Sequence, residues 1–478
     1  MEVLENNKLL KITFFSILLS VVTGIIVGAF PPLYGFALIG FLVFISLTIY
    51  NISYGILFWI LTGGLFVTSI YTIRNAGIYP SLLMLCILLF VWLIVSIENK
   101  TFTNTKSKLY LPLVSLIIIT ILSGLKGGIL YDPEVLGEHK YILVQIFSVL
   151  IIIFSILTAF LIQYFFETIE QIKLIYLMLI FLGVGIFFEI FISDIFKLNL
   201  HFFLPSWDVL LNVHAMSLAY TSLLFIPQLS LVKKLGFIIL ILFSFESSIM
   251  QFIIGGGQWI SGWIALGIPL IYITFQKTKI WSLFLIILFS ILIFFFTLKQ
   301  INYMFTKAKE ERDYDRFNTW ENSSKLWQKN LFFGVGPGNY IDYAQTYFPE
   351  GFKYTSAHSQ YFQFISEIGS LGTICFFWLI VKIFILGEYI IKRVKENFLK
   401  VFVIGIMGSI YGQVFASIFG DYILPSYHNG AVKNICTTIY FWILVGSLMA
   451  VEQIVEKEEE KAKLQTTNFK LQTNYNKI

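Results

Sequence analysis

Long apolar runs recur along nearly the whole chain, and no other feature restricts its fold as severely. Fourteen stand between clusters of turn-forming and charged residues: 11–30, 33–50, 52–72, 79–97, 109–124, 141–166, 174–196, 208–230, 235–253, 258–275, 280–298, 359–386, 398–424 and 432–451. Most approach the ~20 residues that carry a helix across the hydrocarbon of a bilayer. Amides in hydrocarbon must find partners within their own segment, and the alternation of a lipid-facing strand is missing, so the runs predict helices. Composition agrees, with 57% of the 478 residues apolar and 13% charged, against ~25% charged in a soluble domain. The expectation is an all-α, polytopic integral membrane helical bundle of about 12–14 transmembrane helices. Soluble enzymes and nucleic-acid binders are excluded. A formal charge of +5 is too mild to imply a polyanion groove.

The first run has the length of a retained helix, lacks a clear small-residue cleavage site and returns at once through Pro31 and Pro32, which separates it from a signal peptide. Cys86, Cys375 and Cys436 all sit inside apolar runs, where a thiol is a small hydrophobe, so neither a disulfide framework nor a CxxC metal site is predicted.

Basic residues in short connections fix orientation, because they stay preferentially on the cytoplasmic side. With the N-terminus inside, alternate connections hold twelve Lys and Arg, from Lys100 to Lys400, and the opposite connections hold five: Arg74, Lys126, Lys140, Lys197 and Lys433. The chain then divides into membrane helices over 1–298, one large external loop over 299–357, membrane helices over 358–451 and a cytoplasmic tail over 452–478. The Glu/Lys-rich start of that tail, EKEEEKAK, reads as solvated and partly disordered.

On this topology His139, His201, His214, His358 and His428 all fall on or near the external face. Taken singly, each is more ordinarily a loop or interface residue than a catalyst. The arginines are more selective. Only four of the 33 basic residues are Arg, and Arg312 and Arg316 lie four apart in the external loop. A guanidinium binds phosphate or carboxylate through two parallel hydrogen bonds and keeps its proton. In TKAKEERDYDRFNTWENSSKLWQKN, the aromatics Phe317, Trp320 and Trp327 recur at helical spacing. An amphipathic helix in the membrane interface follows, its aromatics at headgroup depth and its arginines toward a lipid phosphate. Surface pairing of the arginines with Glu311, Asp313 or Asp315 fits the spacing equally, and both readings stay open. GVGPGNY comes next, with Gly336, Gly338 and Asn339. Its glycines and Pro337 force a compact loop whose amides can face an anion, although the Lys and Ser/Thr of a P-loop are missing. A structural turn is the plainer reading. Then AHSQYFQFISEIGSLG puts His358 at the external mouth of an apolar helix, with Gln360 and Glu367 close in sequence.

The ordered set of Arg312, Arg316, Trp320, the Gly-Pro-Gly loop and His358 resembles the O-antigen ligase and polysaccharide polymerase family. Members are GT-C-like bacterial enzymes that handle glycans carried on undecaprenyl diphosphate at the outer side of the inner membrane. The likeness is densest over 312–372 and looser over about 207–450. It implies that Arg316, with Arg312 as neighbour, contacts the donor diphosphate and that His358 assists attack by the acceptor hydroxyl. LNVHAMSLAY resembles the family's Asn-containing helix entry, which adds Asn212 and His214 as secondary candidates. Two departures stand out. Gln258 in GGGQWISGWIALG occupies the place of a second phosphate-binding Arg, and Ser359 follows His358 where Asn is frequent.

The reaction implied is metal-independent, inverting glycosyl transfer, with no cofactor. Its partners are an undecaprenyl-diphosphate-linked glycan, a glycan or lipid acceptor and membrane lipid, without nucleic acid. A ligase passes the glycan to a lipid core or other terminal acceptor, and a polymerase joins lipid-linked repeats. Both need the same donor site. A flippase for the same lipid is the competing class, but Glu246 is the clearest deep charge and no internal repeat stands out, unlike transporters with related halves.

Overall fold

The computed structural model describes residues 32–65, 71–73, 76–99, 107–135, 142–196, 209–254, 260–288, 291, 314–349, 356–425 and 435–475. Within them the chain forms helices α1 (Pro32–Tyr50), α2 (Ile52–Leu65), α3 (Pro80–Glu98), α4 (Tyr110–Ile129), α5 (Ile142–Phe165), α6 (Ile169–Phe196), α7 (Val209–Phe225), α8 (Leu231–Ile254) and α9 (Ile260–Lys277). After these come α10 (Lys279–Leu288), α11 (Tyr314–Lys329), α12 (Tyr340–Tyr347), α13 (Gln360–Arg393), α14 (Asn397–Ala416) and α15 (Ile435–Tyr475). Among the described residues, seven helices are long and apolar enough to cross a membrane: α3, α4, α5, α6, α13, α14 and α15. The expected span over 11–30 lies outside the described residues.

Burial separates the helices into a centre and a shell. The apolar part of α15 is buried throughout, with Tyr440 and Trp442 fully enclosed, as befits a helix hydrophobic all round. It packs along α5, while α14 packs on α7 and α9. Gly412 of α14 lets the α9 backbone approach, since a Cβ there would lie 2.6 Å from the Ala265 carbonyl. Small residues serve close helix approach in hydrocarbon. By contrast, α3 and α4 are two-faced, and their outer stripes expose Phe90, Ile97, Ile118 and Leu125. So continuous an apolar surface is stable against lipid and not against water.

Three expectations need correction. The run 52–72 is not helical throughout: α2 is described over Ile52–Leu65, and at the end of the run β1 (Tyr71–Ile73) pairs antiparallel with β2 (Ala76–Ile78), Ile73 facing Ala76. Thr and Tyr near its end favour the extended chain. The run 398–424 ends at Ala416, and residues 417–425 form an ordered connector instead. The EKEEEKAK start of the charged tail is mostly exposed, as expected, but it is helical throughout, because α15 continues through it.

Candidate functional site

A break in α13 joins the external segment to the bundle. Gly369 sits at φ 67°, ψ −169° inside the helix, a region open essentially to glycine. The break frees carbonyls on one side and amides on the other, and residues 331–336 occupy them. Val335 N donates to the Ser366 carbonyl at 2.9 Å and Gly336 N to that of Glu367 at 2.8 Å. Ser370 N donates to the Leu331 carbonyl at 2.8 Å and Leu371 N to that of Phe332 at 3.2 Å. Each left unmade in hydrocarbon would cost several kcal/mol. The backbones nearly touch: a Cβ on Gly334 would lie 2.4 Å from the Glu367 carbonyl carbon, and one on Gly369 2.4 Å from that of Phe332.

The loop is also held from α4. Ser123 Oγ lies 2.7 Å from the Phe333 carbonyl and 2.9 Å from that of Glu367, and Lys126 Nζ donates to Asn330 Oδ1 and to the Gly334 carbonyl. The sequence reading missed these two residues as anchors. The glycine-rich helix end SGLKGG was the available signal: a Cβ on Gly127 would collide with Gly336 Cα at 2.8 Å.

GVGPGNY is compact as expected, with Gly334, Gly336 and Gly338 all at positive φ. Its amides do meet an acceptor, but an internal one: the Glu367 carboxyl accepts from the Gly338 and Tyr340 amides and from Gln363 Nε2. Asn339 Nδ2 closes the turn on the Val335 carbonyl at 2.9 Å, and Gly338 leaves room for Ser148 Oγ, 2.3 Å from where a Cβ would stand. Gly336, Gly338 and Asn339 therefore shape the loop and seat it on α4 and α5.

α11 covers the same surface. Trp320 Nε1 donates to the Ala357 carbonyl at 3.0 Å, and its ring stacks on Phe362 at 5.0 Å between centroids and 11° between planes. Trp327 Nε1 donates to Ser370 Oγ at 2.9 Å. Both tryptophans thus face α13, so the aromatic side of α11 packs on that helix. A small separate core of Leu326, Val335, Tyr340, Tyr343, Ala344, Ala357 and Val135 fills the space beneath.

His358 follows directly on the residue that Trp320 holds. Its φ of 47° is the only positive value at a non-glycine among the described residues, and such strain clusters at functional sites. His358 N donates to Ser356 Oγ at 3.2 Å, and the helix begins two residues later. Gln360 anchors that start. Its amide reaches the Ser417 and Gly420 carbonyls, both at 3.0 Å, and its Oε1 accepts from Ile423 N and Leu424 N. The connector 417–425 thus caps the His358 turn.

Arg316 lies in α11 one helical turn ahead of Trp320, on the same face; its side chain, Arg312 and Gln258 lie outside the described residues. Ser261, three residues beyond Gln258, has its Oγ 2.6 Å from the Tyr422 hydroxyl of that connector. Asn212 and His214 are buried at the start of α7. His214 meets Ser409 Oγ through Nδ1 and Gln413 Nε2 through Nε2. The structure joins His214 to α14 instead of the external loop.

One tie between loop and bundle titrates. Tyr347 donates its hydroxyl to Asp132 Oδ2. That bond, with the Glu134 amide, holds the Asp132 carboxyl below its ordinary value, and the Tyr347 phenol is pushed up to about 12. A lowered folded pKa contributes stability that is complete above the ordinary carboxylate value and lost as pH falls through the lower folded one. Limited proteolysis of the 299–357 segment is therefore expected to be unchanged from neutrality to about pH 5 and to accelerate below about pH 4. Tyr347→Phe should show faster cleavage already at neutral pH; equal cleavage of the two proteins there would contradict the tie.

The fold and the docked segment define a polytopic helical membrane protein. Residues 231–377, from the start of α8 into α13, match the sequence model of the O-antigen ligase family, which bears out the resemblance and places the chain's likeness in polysaccharide biosynthesis. The match contains Gln258, Arg312, Arg316, Trp320 and His358 but not Asn212 or His214. No curated protein matches the chain.

Proposed function

We propose that the protein is a ligase-type glycosyltransferase that moves a glycan from undecaprenyl diphosphate to an acceptor hydroxyl at the outer face of a bacterial inner membrane. Segment 299–357 is extracytoplasmic and both termini are cytoplasmic. The observation that carries this reading is the bond from Trp320 to Ala357. It brings the α11 turn that holds Arg316 against the strained turn that holds His358, inside the segment that matches the family.

The chemistry asks little of the protein. The acceptor oxygen attacks the anomeric carbon from the face opposite the diphosphate, the bond from that carbon to the diphosphate oxygen breaks, and configuration inverts. The hydroxyl proton passes to the His358 imidazole, whose reference pKa of ~6.5 suits a base near neutrality. Polyprenyl diphosphate leaves with its electron pair. Arg316, with Arg312 beside it in sequence, balances the growing charge, and a fixed donor aimed at such charge accounts for roughly 10²- to 10³-fold in rate. Gln258 supplies a neutral hydrogen bond where the family's second phosphate-binding Arg would otherwise stand.

Arg316→Ala is expected to slow transfer by that factor with purified lipid-linked donor, and Arg316→Lys should recover only part of it, because an ammonium lacks the planar fork. Transfer at the wild-type rate in Arg316→Ala would reject the assignment. In a deletion strain, lipid-linked polymer that persists without transfer supports the ligase, loss of long chains supports the polymerase, and lipid-linked glycan trapped on the inner leaflet supports the flippase.

A further inference from the structure

At the opposite end of α4 and α5 lies a second polar site. Ser107, just ahead of α4, is 16 residues from Ser123, roughly 24 Å at the rise of a helix, so this region is separate from the loop docked at Ser123. A cavity of about 210 Å³ opens here between α5 and α15. Glu452, Glu456 and Glu460 enter it from one face of α15 at successive turns, and Gln163, Gln453 and Ser107 complete its polar wall. Like charges at i and i+4 repel. Lys457 is the one cationic residue in the wall among the described residues, and it is already paired with Glu167 at 3.1 Å. Lys108 lies 3.7 Å from Glu452 Oε1 at the margin.

The oxygens here are in excess of donors. Glu452 is 1% exposed; its carboxyl accepts from the Lys108 amide and, through Oε2, from Ser107 Oγ at 2.7 Å, while Oε1 lacks a side-chain hydrogen-bond donor among the described residues. Gln163 is 3% exposed, and neither its Oε1 nor that of Gln453 has a partner among the described residues. A buried amide oxygen without a donor costs about 1–3 kcal/mol. Three such acceptors lining one cavity identify what is missing as a donor or a cation. All are hard oxygens, the ligands that magnesium and calcium prefer. Among the described residues no three acidic, His or Cys side chains converge to chelate a bare metal. The volume far exceeds the ~10–15 Å³ that holds one water, so the ion brings its own shell, as Mg²⁺ does.

We infer that this cavity binds a hydrated divalent cation, Mg²⁺ in type, that ties the charged extension of α15 to the ends of α4 and α5. The test uses the full chain purified in detergent after chelation, with the thermal midpoint followed during titration with MgCl₂. Choline chloride at matched ionic strength and spermidine serve as separate arms. Expected is a saturable rise with MgCl₂ alone. Glu456→Gln and Gln163→Leu should each weaken its apparent affinity roughly 10- to 100-fold. An equal rise with choline, or a rise with spermidine in place of Mg²⁺, overturns the inference. So do wild-type titrations in both variants. Should Gln163→Leu fail to fold, Glu456→Gln, partly exposed, decides alone. The readout is independent of glycan transfer.

Discussion

Gly369→Ala is expected to abolish the folded external half of the protein. Alanine cannot adopt φ 67°, ψ −169° without about 1–3 kcal/mol of backbone strain. Its methyl would also stand 2.4 Å from the Phe332 carbonyl carbon and oxygen and 2.5 Å from Gly334 N. These are backbone atoms with no rotamer to change, so residues 331–336 would leave the break and strand two carbonyls and two amides. The total exceeds the whole ~5–15 kcal/mol stability of an ordinary domain only in the worst case, but it falls on one docking surface. Thermal unfolding of the purified protein should show a midpoint lower by many degrees, and proteolysis should open the 299–357 segment first. Gly236→Ala is the control: nothing lies within 4 Å of its added methyl, and alanine favours the α8 helix. A Gly369→Ala protein as stable as Gly236→Ala would remove the break from the account.

His358 carries the second large effect. His358→Ala should slow glycan transfer ~10²- to 10⁴-fold, the range for loss of a positioned base. The backbone offers a sharper diagnostic. At φ 47° a glycine is more comfortable than histidine, so His358→Gly should fold at least as stably as the wild type and still be as slow as His358→Ala. Structural residues do not behave in that way, because replacing them normally lowers stability and activity together. Asparagine also tolerates this conformation, so His358→Asn keeps the turn and loses the base. Full transfer activity in a folded His358→Asn protein would exclude the imidazole from the reaction.

The helical class was legible because the bilayer imposes it: runs such as 79–97 and 141–166 admit one structure, and α3 and α5 fall within a residue or so of them. The α11 helix and the Gly-Pro-Gly turn were legible for local reasons, one from aromatic spacing and the other from glycine content. What sequence could not reveal was long-range pairing. EIGSLG reads as a continuing helix unless residues 331–336 are known to fill the break at Gly369. Glu367, unexplained as a sequence feature, is the acceptor that the loop amides meet, across some thirty residues of chain. Ser123 and Lys126 are farther still, more than 200 residues from the carbonyls they hold. The partners of Trp320 and Trp327 were hidden for a related reason: aromatic spacing marks a packing or interfacial face, but Ala357 and Ser370, which accept their indole protons, lie about 40 residues further on.

Everything proposed for Arg316 and His358 requires the 299–357 segment to lie outside the cell membrane. A single cysteine placed at Gln328, exposed on α11, can be treated with a membrane-impermeant maleimide in cells stripped to their cytoplasmic membrane, with the unmodified protein as blank and Lys400→Cys as the inward-facing control. Rapid labelling of Gln328→Cys in sealed cells, with Lys400→Cys labelled only after permeabilisation, is the predicted result. The reverse pattern would put the arginine and the histidine in the cytosol and contradict the account.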